Sequence, residues 1–302
     1  MNLQQLEYVL AVAQHQHFAR AAAHCYVTQP TLSMMIQKLE SELGVQIFDR
    51  SRQPVELTRE GQAMVVHIRQ ILADVGRLRD YASELQHHIK GEVRLGVIPT
   101  IAPYLLPTLL PRLMSEHPDL KFNVREMVTE RLLDAIKSGE IDMGLMATPV
   151  EDIRLNSIPL FKEPFVAYVS PSEVAFHKNL LLPEDINPAH LWLLEEGHCL
   201  RGQVLHLCAL RSKDHNTARL RYESGSLETL VHLVDAQQGI TILPLMATRF
   251  LGAHQQAQVR KFAEPCPTRE ITLVTVNNFP RRRLLVAMAE VVKGVYGQYL
   301  GK

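Results

Sequence analysis

The chain has 302 residues, 46% of them apolar and 21% charged, with 32 lysines plus arginines against 32 aspartates plus glutamates. This is a globular composition with room for two or three domains and a sizeable core, and no run approaches the roughly 20 apolar residues of a membrane span. Met1 to Ala13 contains Glu7 and lacks a basic start, so it does not read as a secretion signal. The expectation is a cytoplasmic protein with no membrane partner, whose four cysteines stay reduced until challenged. Residues 1 to 60 hold five basic side chains against six acidic ones, so any contact with DNA must come from placement and not from bulk charge.

Apolar residues at 3, 6, 9, 10 and 13, behind Asn2 as N-cap, predict a first helix. Ala19, Ala21, Ala22 and Ala23 predict a second, closely packed helix from Phe18 to Cys25, with Cys25 in its core. Thr28 as cap and Pro30 in the first turn predict a third helix to about Glu42, apolar on Leu32, Ile36, Leu39 and Leu43 and stopped by Gly44. Two short helices joined by a tight turn form a helix-turn-helix, and the N-terminal turn of the second enters the major groove of double-stranded DNA. Its candidate DNA-facing residues are Gln29, Pro30, Thr31, Ser33, Gln37 and Lys38, while Met34 and Met35 read as packing. Phe48 to Thr58 reads as a small wing with Arg50 and Arg52 placed for phosphates.

The string Phe18, Ala21, Ala22, Thr28-Gln29-Pro30-Thr31-Leu32-Ser33, Leu39-Glu40, Leu43-Gly44, Phe48, Arg50, Leu57-Thr58, Glu60-Gly61 resembles the winged helix of the LysR-type transcriptional regulators. From Glu60 to Ile89 apolar residues then recur at Met64, Ile68, Ile71, Val75, Leu78, Ala82, Leu85 and Ile89, alternating steps of four and three, which is the seam of a coiled coil. Residues 59–90 are expected to be a linker helix that pairs two copies of the chain through Ile68, Ile71, Val75, Leu78 and Leu85. The alternative is an amphipathic helix packed on its own domain.

Gly91 breaks that helix, and strands then alternate with helices: Glu92 to Pro99, Lys121 to Met127 and Ile141 to Ala147 as strands, Tyr104 to Met114 and Arg131 to Lys137 as helices. Further strands are read at Phe165 to Ser170, Leu191 to Leu194, Arg219 to Glu223, Ile240 to Leu243 and Glu270 to Val276, with helices from Ser226 to Gln237 and Arg282 to Tyr299. The alternation predicts parallel, doubly wound sheets. Two crossings, near Pro164 and Glu264, divide residues 91–302 into lobe I (91–163 and 265–302) and lobe II (164–264), similar to the regulatory domain of LysR-type proteins and to periplasmic binding proteins. The fold class is thus α+β and multidomain: a winged helix over 1–58, a long linker helix and a two-lobed α/β regulatory domain. Cys266 reads as structural, and Arg281-Arg282-Arg283 as the solvated start of the last helix.

Two cysteines stand nine positions apart in Gly197-His198-Cys199-Leu200-Arg201-Gly202-Gln203-Val204-Leu205-His206-Leu207-Cys208. Cations beside Cys199 favour thiolate over thiol, whereas Cys208 lies among Leu205, Leu207, Ala209 and Leu210, where a thiol stays protonated. If Leu200 to Leu210 is helical, the two Cα atoms lie roughly 13 Å apart at 1.5 Å per residue, and a disulfide, which needs about 7 Å, forms only if the segment unwinds. The plain alternative is two buried small hydrophobes; a metal site from His198, Cys199, His206 and Cys208 lacks a recognised zinc spacing and no metal or other cofactor is expected.

Gly197-His198-Cys199-Leu200-Arg201 followed by Cys208 resembles the sensing loop of the peroxide-sensing LysR-type regulators. The resemblance implies a peroxidatic Cys199, a resolving Cys208, and a pocket of Thr100, Thr129, His198 and Arg201 around Cys199. Ser226 opens a helix whose free amides suit an anion or a small polar oxidant, and Thr129 and Ser226 read equally well as N-caps. At Gly202 the chain departs from the resemblance, which has an aspartate there. What is implied is a regulator of oxidative-stress genes and not an enzyme, a homodimer or homotetramer on DNA, with RNA polymerase and a thioredoxin- or glutaredoxin-type reductant as partners. Two other readings stay open: a LysR-type regulator with a small organic effector between its lobes, and a thiol peroxidase.

Overall fold

The computed structural model describes residues 1–85, 89–208 and 224–300, and the chain forms two compact units, one carrying the first four helices and the other the nine-stranded sheet with its flanking helices. In the first, α1 (Leu3–His15), α2 (Phe18–His24) and α3 (Gln29–Leu43) close around Leu6, Val9, Ala21, Leu32, Ile36 and Leu39. Asn2 and Gln5 cap α1 reciprocally, Thr28 caps α3, and Gly44 at φ +67° ends it. The strands β1 (Phe48–Asp49) and β2 (Glu56–Leu57) pair antiparallel as the wing, and α4 (Arg59–Leu85) comes next.

The first turns of α4 belong to this small core, because Val65 and Ile68 are buried in it with Met64 and Leu72 alongside. That placement corrects the seam expected of the linker: Ile68 is 1% exposed within its own domain and offers no face to a partner. Ile71 and Leu78 lie exposed further along. The side chain of Leu85 lies outside the described residues.

The second unit opens with β3 (Gly91–Val97), α5 (Ala102–Glu116), β4 (Leu120–Glu126), α6 (Thr129–Lys137) and β5 (Met143–Met146), its three strands parallel in the order β4-β3-β5. After these stand β6 (Leu155–Val169), β7 (Leu180–Leu181), β8 (Leu191–Trp192), α7 (Cys199–Leu207) and α8 (Leu227–Gln237). Then come β9 (Ile240–Pro244), a 3₁₀ helix (Leu245–Phe250), α9 (Ala253–Gln256), β10 (Val259–Phe262), β11 (Thr268–Val276) and α10 (Arg282–Leu300). The strand β6 spans fifteen residues: up to Pro164 it pairs with β11, and from Phe165 with β9 and β10.

Every one of those β6 pairings is antiparallel, as is β5 with β11, so the expected parallel pairing holds only within β3, β4 and β5 and for the pairs β7–β10 and β8–β9. The cause is topological, since β6 carries the chain away from the first strands and β11 brings it back alongside. The strand expected over Arg219 to Glu223 lies outside the described residues. Arg281 is also placed differently from the sequence reading: it is 5% exposed and its guanidinium donates to the carbonyls of Lys90 and Glu92, each at 2.7 Å. It ties the start of α10 to the start of β3 while Arg282 and Arg283 are exposed.

Candidate functional site

Parallel strands place their carboxyl ends along one edge, and in α/β sheets that edge is where ligands bind. Here the edge carries Thr100 beyond β3, Thr129 beyond β4, and Ala147 and Thr148 beyond β5. Gln203 of α7 reaches it, its side-chain amide donating to the carbonyl of Ala147. Cys199 stands one helical turn before Gln203 and therefore on the same side of α7. Thr129 and Thr148 have buried hydroxyls that meet no hydrogen-bond partner among the described residues, and Gln203 has a side-chain oxygen in the same state. Unpaired polar atoms facing a shared edge are where a small polar molecule gains most from binding. Thr129 is the first residue of α6, and its hydroxyl makes no cap.

Thr100 is held from behind. The Arg269 guanidinium donates to its hydroxyl at 2.9 Å and to its carbonyl at 3.0 Å, and pairs with Glu163 at 2.8 Å, with Arg269 and Glu163 both fully buried. The second Glu163 oxygen accepts from the amide of Met246 at 2.8 Å. A hydroxyl that accepts from a fixed arginine must point its own hydrogen elsewhere, so this pair sets the direction in which Thr100 donates. Sequence reasoning missed both residues, which lie 106 positions apart.

The cysteine segment is built on β8. Leu194 bridges to Ser224, Gly197 turns the chain at φ +95°, and α7 begins directly at Cys199. His198 is 7% exposed with Nε2 3.7 Å from a Glu195 carboxylate oxygen, and the Arg201 guanidinium donates to the carbonyl of Leu194 at 2.7 Å. Both side chains thus anchor the turn that presents Cys199. All four cysteines are free thiols, and Cys208 caps the far end of α7. Burial pushes the Cys208 thiol up to about 11. Gly202 is exposed, with open space where a Cβ would stand.

Ser226 does not offer the open helix end that the sequence suggested. Its hydroxyl donates to Glu228 at 2.6 Å, and Tyr104 donates to the other oxygen of that carboxylate at 2.9 Å. Burial raises the affinity of Glu228 for a proton, but the Ser226 hydroxyl, its own backbone amide, Tyr104 and the nearby His232 outweigh it and hold the carboxyl below its usual range. The chain's own anion occupies the start of α8.

In the helix-turn-helix, Gln29, Pro30, Thr31, Gln37 and Lys38 are exposed. Met34, expected in packing, is 60% exposed on the same side of α3 as Thr31, Gln37 and Lys38, whereas Met35 does pack on the core. Arg50 is not free for phosphate. Its guanidinium lies 4.9 Å over the Phe18 ring and donates to Ser33 at 3.0 Å and to Glu40 at 3.1 Å. Glu40 also accepts from the amides of Ile47 and Phe48, so it clamps the wing onto α3. Arg52 stands exposed between Asp49 and Glu56.

Residues 3–62 match the bacterial regulatory helix-turn-helix protein, lysR family, and residues 86–296 match the LysR substrate binding domain. The chain is 34% identical over 299 residues to the hydrogen peroxide-inducible genes activator of Haemophilus influenzae, covering 98% of each chain. It is 35% identical to the DNA-binding transcriptional dual regulator OxyR of Escherichia coli, covering 97% of this chain and 95% of that one. Among solved structures, a variant of full-length OxyR from Pseudomonas aeruginosa superposes with a TM-score of 0.79 at 34% identity, over 97% of this chain and 98% of that one. A hydrogen-peroxide-bound OxyR mutant from Corynebacterium glutamicum gives 0.67 at 28% identity, over 99% and 94%. With a winged helix, a two-lobed domain and a thiol pair on one helix, the chain belongs to the LysR family of bacterial transcriptional regulators, in its OxyR branch.

Proposed function

We propose that this regulator senses hydrogen peroxide through Cys199 and reports it by forming a Cys199–Cys208 disulfide. The observation that carries the reading is the placement of two free thiols at opposite ends of α7. Nine residues of helix separate their Cα atoms by about 13.5 Å, about twice what a disulfide allows, so the bond and the helix are mutually exclusive. Oxidation becomes a change of shape.

The Cys199 thiolate attacks one peroxide oxygen, the O–O bond breaks, sulfur loses two electrons, and hydroxide leaves and takes up a proton to become water. The resulting sulfenic acid is attacked by the Cys208 sulfur, an S–S bond forms, and the Cys208 proton leaves with the hydroxyl as a second water. Burial keeps Cys208 protonated while α7 is intact, so unwinding supplies both the proximity and the exposure that the second step needs. A dithiol protein of the thioredoxin or glutaredoxin class reverses the reaction by exchange. Each chain reacts once per cycle, in the cytoplasm, and the output is altered contact with promoter DNA and RNA polymerase by a dimer or tetramer, not turnover.

The test uses reduced protein and one equivalent of hydrogen peroxide, with disulfide mapping by mass spectrometry and the fluorescence of Trp192 tracked in time. Trp192 donates to the carbonyl of Gln238 at 2.8 Å from the strand that leads into the cysteine turn. The expected result is a Cys199–Cys208 bond with a fluorescence change, both absent in Cys199→Ser. Free thiols after prolonged exposure would refute the scheme, and many turnovers with thioredoxin would make the protein a peroxidase.

A further inference from the structure

A groove of about 400 Å³ opens among the 3₁₀ helix Leu245–Phe250, β10 and the C-terminal turns of α10. It shares no lining residue with the thiol site. Its walls include Met246, Val259 and the rings of Tyr296 and Tyr299, and its charged lining consists of Arg249 and Lys261 with no acidic side chain. A concavity of a few hundred Å³, mostly apolar with a few placed charges, has the dimensions of a small-ligand site.

The two cations are exposed and uncompensated. Arg249 lies 4.7 Å over the Tyr299 ring and makes no ion pair among the described residues, and Lys261 likewise has no carboxylate partner there. Lys261 and Val259 are two apart on β10 and therefore face the same way, into the groove. Arg260 between them faces the other way, stacked 4.3 Å over Phe176. Positive charge left without a counter-ion beside an apolar wall selects for an anion, because the low-dielectric wall strengthens the attraction.

We infer that this groove binds an amphiphilic monocarboxylate. The carboxylate sits on the Arg249 guanidinium, whose fork matches it, with Lys261 as second cation. The hydrocarbon body lies against Met246, Val259 and the two tyrosine rings. The ligand then touches residues tied to the crossing strand: the backbone amide of Met246 donates to Glu163 at 2.8 Å and the Tyr296 hydroxyl donates to the carbonyl of Lys162 at 3.1 Å.

The experiment titrates full-length reduced protein with sodium decanoate, below its micellar concentration, by isothermal calorimetry and by thermal unfolding. One saturable site per chain and a raised Tm are expected. Arg249→Glu and Lys261→Glu should each weaken binding about tenfold or more, with their own Tm unchanged because both side chains are exposed. Decanol and decylamine should bind far more weakly than decanoate. Cys199→Ser should bind decanoate as the wild type does, which separates this site from the thiol chemistry. Undiminished binding by the charge-reversed proteins, equal affinity for decanol, or no saturable binding would each overturn the inference. A change of sedimentation on charge reversal, without decanoate binding, would assign the groove to a second copy of the chain instead.

Discussion

Gly202 stands inside α7, exposed, where a Cβ would meet nothing within 4 Å. Glycine weakens a helix interior by roughly 0.5–1 kcal/mol relative to alanine, so the helix that must unwind for the disulfide carries a built-in weak point. Gly202→Ala should therefore slow disulfide formation by about two- to fivefold while leaving the first oxidation of Cys199 untouched. Stopped-flow Trp192 fluorescence reads the second step, and trapping of the sulfenic acid with dimedone reads the first. Equal rates for both proteins would mean that the stability of α7 does not limit disulfide formation. The thiols, His198 and Arg201 were legible in the sequence because they are adjacent in it. Arg269 and Glu163 were not: each stands beside an opposite charge in its own strand, Glu270 and Lys162, and only the pairing of β6 with β11 sets the two opposite each other.

At the scale of elements, caps and breakers marked the helices well, since Asn2, Thr28 and Gly44 act locally and the structure uses each as expected. The first ten residues of β6 escaped notice because Asn156, Ser157 and Pro159 interrupt the pattern, and register against β11 slips beside Pro159, which has no amide to donate. The wing misled for a related reason: Arg50 reads as a surface cation until Glu40, ten residues earlier on α3, is seen to hold it. The exposed side of α3 then carries Thr31, Met34, Gln37 and Lys38. Met34 suits the methyl group of a thymine and Lys38 a phosphate. Met34→Ala should cost roughly 1 kcal/mol on promoter DNA and little on unrelated sequence, whereas Lys38→Ala should weaken all sequences alike and lower the salt slope by about 1. Fluorescence anisotropy at several salt concentrations distinguishes the two, and a sequence-independent loss for Met34→Ala would remove it from base reading.

A helix-turn-helix reads one half-site, and a regulator gains affinity by holding two reading heads at fixed spacing. We propose α4 as the means of pairing: its first turns are committed to the winged-helix core while Leu78 is 70% and Ile71 40% exposed beyond it. Leucine left in water on a long helix is stabilised by burial against a second copy, each such side chain contributing about 1.5–3 kcal/mol. Leu78→Glu should leave the fold of the chain intact, because an exposed position tolerates charge within about 0.5 kcal/mol, yet dissociate the pair by setting two carboxylates into its seam. Binding to an isolated half-site should then match the wild type, and binding to a full site should fall by about a hundredfold or more, the avidity that linkage provides. Sedimentation equilibrium measures the first effect and anisotropy on half-site and full-site duplexes the second. A Leu78→Glu protein that remains paired and binds the full site normally would move the seam off α4.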